Sequence, residues 1–450
     1  MVKIFKPAAS KSLKGKSLKV KIERMDFNGR GVARYQKKPV FVAGALPTEV
    51  VNVRVLDQTS KYLVGQLKEV VESSEHRVSP KCEHNKVCGG CDLQHLAQSQ
   101  HIDMKLRKVN ELFARQGIHE LAWQQPIVED MWHYRRKARL GVQYHKDGTA
   151  VVGFRESNTN QVTPIKECIT LVKPLSLLIR PITELVNLLP NKSIGHIELI
   201  HSMDEGESLV TIVVRQLGNL TDETKSAWLM FTQQYSDNAR IQVHFDFGGG
   251  SELVSLSKFS PLMYVVDSDI KINFEPDNFI QVHHQVNEKM ISQALSWLSL
   301  TRDDNVLDLY CGLGNFSLPI AKRVTQVTGV EGVEEMVDKA SRNAKSNKLN
   351  NVAFFQANLN EEWKKSSWQT SSYTKILLDP ARAGALEACQ QLGQFGASDI
   401  VYVSCDPATL ARDSAELIKQ GYALKKIALM DMFSQTKHVE TMVLFQRVDS

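Results

Sequence analysis

At 450 residues, with 42% apolar side chains and a formal charge of +5, the chain is long enough for two to four domains, and three are expected. No run approaches the ~18 apolar residues of a spanning helix, and MVKIFKPAASKSLKGKS lacks the apolar centre of a secretion signal, so membrane and exported classes are excluded and a cytoplasmic protein is expected. Seven cysteines, an odd number in a large chain, argue against a disulfide framework and leave the thiols as metal ligands, nucleophile or core.

The charge is uneven. Residues 1–35 hold ten Lys/Arg against Glu23 and Asp26 only, which leaves the rest of the chain net negative. Such a basic arm is the electrostatic footprint of phosphate-backbone binding, although a solvated lysine tail has the same composition. From Leu18 to about Val71 the segments LKVKIERM, GVARY, KPVFVAG, EVVNVRVLD and YLVGQLKEVV alternate apolar and polar residues between Gly, Asn and Pro signals. Five short strands of this kind predict a small closed OB-like barrel over 12–71, a common platform for nucleic acid.

The next segment, CEHNKVCGGC, spaces Cys82, Cys88 and Cys91 as C-x5-C-x2-C, with Gly89 and Gly90 free to fold tightly around a centre. Three thiols in ten residues are poorly explained by core packing. Zinc and a four-thiolate iron–sulfur cluster both fit this donor set, with Cys168 as the natural fourth ligand and His84 or His95 as competitors for zinc. The spacing is not the C-x3-C-x2-C of radical enzymes, which argues against radical chemistry. The cysteines open a mixed α+β middle domain over 72–274, with a helix at HIDMKLRKVNELFARQG and strands such as ARLGVQYH and SLVTIVVRQ. Within it MWHYRRKARL interleaves Trp132 and Tyr134 with Arg135, Arg136, Lys137 and Arg139, a pattern able to stack on bases and hold phosphates, or to form an ordinary half-exposed strand.

Over 275–450 the strand-like runs NVLDLYC, VTQVTGVE, NVAFFQAN, KILLDP and DIVYVSC alternate with helical stretches. That order predicts a doubly wound α/β sheet with its ligands at the carboxyl ends of the strands. Two closing strands, ALKKIALMDMF and ETMVLFQRV, are joined so briefly that one is expected antiparallel, the outline of a class I (Rossmann-like) methyltransferase sheet. After the first strand, DLYCGLGNFS sets Gly312 and Gly314 where the backbone approaches a ligand, but Ser317 replaces the third glycine of a dinucleotide fingerprint. Glu331 ends the second strand at the distance where such folds grip ribose hydroxyls. Together these favour S-adenosyl-L-methionine.

In YVSCDPATLARD, Cys405 follows a strand and precedes Asp406-Pro407, an N-cap and first-turn proline for the next helix. A helix N-terminus favours the thiolate, the nucleophilic form. Beside a methyl sulfonium, such a thiolate can add to C6 of a pyrimidine and make C5 nucleophilic. The adduct then needs a base for its C5 proton, and Glu440 in HVETMVLF is the choice, with His438 on the same face of an extended chain. Cys311 and Cys389 read as core.

The segments DNFIQVHHQVNEKM, DLYCGLGNF, GVEG, LLDPARAG, VSCDPATLARD and HVETM follow one another as they do in the uracil-5 RNA methyltransferases, which the chain closely resembles over nearly its whole length. The resemblance implies cofactor contacts at Gln281, Tyr310, Asn315, Glu331, Asn358 and Asp379, Cys405 as nucleophile and Glu440 as base. It also implies that the barrel is a TRAM domain and that Cys82, Cys88, Cys91 and Cys168 hold a [4Fe-4S] cluster. Barrel and cluster together resemble the branch that methylates uracil 1939 of 23S ribosomal RNA; another rRNA or tRNA uracil is the alternative. Asp406 stands where Asn is frequent in that branch, and Tyr310 where Phe is common; both substitutes keep the capping and stacking chemistry. No membrane or obligate protein partner is expected, and a monomer is. Two other classes compete: an RNA-binding protein without catalysis, and an amine methyltransferase acting through LLDPAR, although Ala381-Arg382 stand where such enzymes favour an aromatic residue.

Overall fold

The computed structural model describes residues 12–157, 159–190, 192–204, 206–237, 239–250, 252–363, 367–370 and 372–448. The first eleven residues of the basic arm therefore lie outside the described residues. The chain forms two compact units. One comprises the amino-terminal part through Asn85 with Cys91–Met104 and Gln435–Lys437; the other holds Lys86–Gly90, Lys105–Ser434 and the carboxyl-terminal strand.

In the first unit, β1 (Ser17–Met25), β2 (Arg30–Tyr35), β3 (Lys38–Ala43), β4 (Val50–Gln58) and β5 (Leu63–Glu72) close into a barrel in the order β1-β2-β3-β5-β4. Strict alternation along β1 turns Leu18, Val20 and Ile22 inward against Val40, Val42, Val51 and Val53, while Lys19 and Lys21 face out. This two-residue period lets a five-stranded barrel have an apolar inside and a basic outside. Gly31 is required by close approach: a Cβ there would lie 2.7 Å from the Ala45 carbonyl oxygen.

The second unit contains two sheets. The strands of the first are β6 (Lys137–Tyr144), β7 (Ala150–Arg155), β8 (Val162–Pro164), β9 (Ile194–Asp204), β10 (Glu207–Gln216), β11 (Arg240–Asp246) and β12 (Val254–Ser255), with the hairpin β13 (Leu262–Val266) and β14 (Ile270–Phe274) attached through β9. The order is β12-β11-β10-β9-β6-β7-β8, antiparallel except for β10 with β11. Helices Ile179–Leu188 and Asp222–Gln234 contribute Ile182, Val186, Trp228 and Phe231 to the core on this sheet.

The second sheet runs β15 (Asn305–Leu309), β16 (Gln326–Glu331), β17 (Val352–Gln356), β18 (Lys375–Leu378), β19 (Asp399–Ser404), β20 (Tyr422–Met430) and β21 (Glu440–Arg447), in the order β17-β16-β15-β18-β19-β21-β20. The first five strands are parallel, and β21 is antiparallel to both β19 and β20, as the brief final connection predicts. Strand order reverses between β15 and β18, and ligands of open α/β sheets collect outside the carboxyl ends at such a point. β19 is buried along its whole length, which explains its uninterrupted apolar text. Among the described residues, no helix is long and apolar enough to cross a membrane.

Candidate active site

The loop after β15 is shaped for a ligand. Tyr310, Gly312 and Gly314 all have positive φ, at 61°, 53° and 92°, so the chain turns back sharply. The Tyr310 and Cys311 amides both donate to the Val330 carbonyl, at 2.9 and 3.2 Å. Glu331 at the end of β16 accepts from Gly312 N–H (3.1 Å) through one oxygen and from Gly332 N–H (2.8 Å) and Val333 N–H (3.1 Å) through the other. The acid expected to meet ribose is thus held at the glycine turn. The Tyr310 hydroxyl is buried without a partner. An orphaned polar atom beside a glycine turn at the sheet's switch point fits a polar nucleoside ligand such as S-adenosylmethionine.

The other expected cofactor residues ring this loop less evenly. Asn315 exchanges two hydrogen bonds with Asn287 (3.0 and 3.1 Å) and accepts one from the Tyr264 hydroxyl (3.2 Å). Gln281 is buried, and its carbonyl accepts from Arg136 Nε at 2.8 Å. Asn358, two residues beyond β17, donates to Glu361 at 2.6 Å. Asp379 follows β18, where burial raises its pKa to about 7. Asp308, which with Gly312 and Gly314 is expected where the backbone approaches a ligand, is buried beside Ser317 and is also raised to about 7, first by burial and then by Asp379 and Glu331. Cys311 is core: a Cβ on Gly329 would lie 3.0 Å from its sulfur.

Cys405 and Glu440 are brought together by strand register. Ser404 of β19 pairs with Thr441 of β21, so the antiparallel ladder sets the next positions, 405 and 440, opposite each other, while Met430 of β20 holds Glu440 from the other side. Asp406 caps the helix Pro407–Lys419 as expected, accepting from Ala408 N–H (2.9 Å) and Thr409 N–H (3.2 Å).

The electrostatics differ from expectation. Rather than being ionised by the helix N-terminus, the Cys405 thiol is pushed up to about 12 by burial, then by Glu440 and Asp379, with Arg382 opposing. The Asp406 carboxylate already occupies the first free amides of that helix, and two acids face the sulfur. Glu440 is 3% exposed and raised well above the usual carboxylate range by burial and by Asp379, again with Arg382 opposing. Burial and mutual repulsion thus disfavour the charged forms of the thiol and of both carboxyls.

Arg382 is the neighbour that sequence reading missed, and its loop is lashed down by residues of the ATLARD segment. Asp413, fully buried, accepts from Tyr402 OH and Ala385 N–H at 2.7 Å each and from Arg412 Nε at 2.7 Å; Arg412 in turn donates to Ala383 O at 3.0 Å. Gly384 fits only without a side chain: its φ is +79°, and a Cβ would come within 2.6 Å of Asp413 Oδ2. The signal was present in the text as DPARAG beside LARD, but only the fold shows that the two segments touch.

The cysteine-rich segment is different. Cys82 and Cys91 belong to the first unit, Cys88 and Cys168 to the second. Gly90 N–H donates to the Cys88 sulfur at 3.4 Å, and Cys168 Sγ lies 3.1 Å from Thr170 Oγ1. Among the described residues, no three Cys, His, Asp or Glu side chains are gathered as a metal site. The chemistry of the donor set, four thiols, suits an iron–sulfur cluster.

Comparison with known proteins agrees with this geometry. The model of the tRNA (uracil-5-)-methyltransferase family matches residues 97–448, and that of the TRAM domain matches residues 11–68. The 23S rRNA (uracil(1939)-C(5))-methyltransferase RlmD of Colwellia psychrerythraea is 45% identical over 99% of both chains, and that of Psychromonas ingrahamii is 40% identical over 99% of this chain and 100% of its own. The crystal structure of the Pyrococcus abyssi tRNA (uracil-54, C5)-methyltransferase with S-adenosyl-L-homocysteine shares the fold, with TM-score 0.74 and 23% identity over 95% of this chain and 100% of that one. A glycine turn at the switch point, a thiol set by register against a buried acid and a family match across most of the chain converge: this protein belongs to the uracil-5 RNA methyltransferase family and carries an N-terminal TRAM domain.

Proposed function

We propose that the chain methylates C5 of a uracil in 23S ribosomal RNA, at the position numbered 1939 in its relatives, using S-adenosyl-L-methionine. The observation that carries the mechanism is the β19–β21 register, which sets Cys405 against Glu440. When bound, the cofactor supplies a methyl group on a cationic sulfur. Cys405 forms a bond to C6 of the uracil, and the displaced π pair passes toward C5 and the C4 carbonyl oxygen. C5 takes the methyl group as the bond from that methyl to sulfur breaks, and the neutral thioether S-adenosylhomocysteine is the leaving group. Glu440 then removes the C5 proton, the C5–C6 double bond re-forms, and the C6–sulfur bond breaks to free the enzyme.

These electrostatics fit that order. A positive ligand beside Asp379, Glu440 and Cys405 lowers the pKa of all three. Before transfer the bound cation therefore favours the Cys405 thiolate and the Glu440 carboxylate, with the displaced protons passing to solvent, and Glu440 is left as a carboxylate able to take the C5 proton afterwards. Gln281, Tyr310, Asn315, Glu331, Asn358 and Asp379 are the residues we assign to the cofactor. Transfer of labelled methyl to ribosomal RNA, followed by mapping of the modified nucleotide, tests reaction and target together; label on an adenine or cytosine amine, or none, overturns the reading.

The same proposal includes the division into 12–71, 72–274 and 275–450, action as a monomer in the cytoplasm, and a [4Fe-4S] cluster on Cys82, Cys88, Cys91 and Cys168. What supports the cluster is the thiol spacing, the Gly89-Gly90 pair and the family pattern. No step of the reaction passes through it. Iron and acid-labile sulfide in anaerobically purified protein, lost in Cys88→Ala, are the expected result; protein purified without either overturns the cluster and leaves the methyl transfer standing.

A further inference from the structure

The segment MWHYRRKARL turns inward. Tyr134 is buried, stacks on His283 with ring centroids 4.7 Å apart, and donates its hydroxyl to the Ser434 carbonyl at 2.9 Å. Of its cations only Arg139 points fully outward, where it pairs with Glu198. Arg136 is the anomaly. It is 5% exposed, and its main chain is fixed by bonds from its N–H to Val282 O (3.2 Å) and from His201 N–H to its carbonyl (2.8 Å).

Its guanidinium carbon sits 4.4 Å over the ring of Tyr264, and its Nε donates to the Gln281 carbonyl. Nη2 has no partner, and no ion pair forms between Arg136 and a carboxylate among the described residues. The acid whose field it feels, Glu288, faces His284 at 3.9 Å. His201 and His284 feel its charge, and burial lowers the pKa of both, as it does for His283; His284 Nδ1 is a second buried atom without a partner. Tyr264 links this cation to Asn315.

A buried guanidinium with an unused donor and no counter-charge is costly, and proteins retain such groups where a ligand completes them. The residues it touches decide which ligand. Gln281 and, through Tyr264, Asn315 both belong to the set assigned above to the cofactor. We propose that Arg136 is a binding residue whose free Nη2 receives an anionic oxygen of one of the two reactants, either the carboxylate of the cofactor's amino-acid end or the C4 oxygen of the uracil as the thiol adds. The inference rests on the proposed reaction.

Arg136→Gln tests it, with affinities for S-adenosylhomocysteine and for 5′-methylthioadenosine, which lacks the carboxylate, measured by calorimetry. The rate of covalent trapping on 5-fluorouracil-substituted RNA is read from denaturing gels. Losing a charge-assisted hydrogen bond is worth roughly 10- to 100-fold. Weakened S-adenosylhomocysteine with unchanged methylthioadenosine identifies the cofactor carboxylate. Unchanged affinities with trapping slowed by that factor identify the uracil oxygen. Affinities and trapping all within about twofold of the parent overturn the proposal, as does an equal loss for both nucleosides, which marks a collapsed pocket. If Arg136→Gln melts below the assay temperature, Arg136→Lys, which keeps the charge but not the fork, is judged by the same ratios. Failure of the unmodified protein to trap the RNA at all sinks the reaction itself, a result distinct from any of these ratios.

Discussion

Two regions of this molecule are rich in thiol chemistry, and they are built in opposite ways. Cys405 is one sulfur whose place is set by a ladder: β19 lies between β18 and β21, and the register of the last pair puts Glu440 across from it. Cys82, Cys88 and Cys91 lie within ten residues of one another, on turns and isolated bridges that fall in both compact units. Cys405 and Glu440 stand opposite each other across the ladder although 35 residues separate them in sequence. Backbone ladders fix geometry before any ligand arrives, whereas a loop of ligands depends on the ion it holds for its final form.

The comparison can be broken most severely at the sulfur. Cys405→Ala is expected to abolish methyl transfer and covalent trapping while leaving the thermal midpoint near that of the parent; retained transfer removes the nucleophile from the mechanism. Glu440→Gln is expected to slow turnover by ~10²–10⁴-fold, with a covalent RNA complex accumulating on ordinary uracil substrate, because the proton that releases the enzyme stays on C5. A comparable loss without accumulation places Glu440 before the adduct instead.

A pH series sharpens the same contrast. With the thiol pushed up to about 12, alkylation of Cys405 by iodoacetamide in the free protein should rise about tenfold per pH unit through neutrality, since only the thiolate reacts. Adding S-adenosylmethionine, or removing the facing acid with Glu440→Gln, should speed alkylation at pH 7. A plateau below pH 9 in the free protein contradicts this electrostatic account.

Smaller effects test the scaffold. Gly384→Ala must strain a φ of +79° and displace Asp413, a cost of ~1–3 kcal/mol measurable as a lower urea midpoint, with added loss of activity as the Arg382 loop shifts. Asp406→Ala removes the cap on Ala408 and Thr409 and is expected to cost ~1 kcal/mol. An unchanged midpoint in either variant denies these contacts their structural role.

Much of the site was legible because local rules governed it. Strand–helix alternation, the Asp406-Pro407 start signal and the glycine turn each follow from a handful of adjacent residues, and the structure repeats them. The ionisation of Cys405 was not legible, because the local helix end pointed one way and two distant acids, Asp379 and Glu440, pointed the other. Which of the two readings of the RRKARL cations holds was not legible for the same reason: a two-residue period tells which side chains share a face, but not what covers that face.

The amino-acid order by itself determined which segments become strands and helices, where the helix after Cys405 begins, and that the glycine turn follows Leu309. Tertiary structure decided the rest: that Glu440 meets Cys405, that Asp413 and Gly384 hold Arg382 in place, and that Arg136 is buried with a donor to spare. Secondary structure responds to neighbours a few residues apart, whereas charge and burial respond to every group within a few ångströms, and only the folded chain says which groups those are.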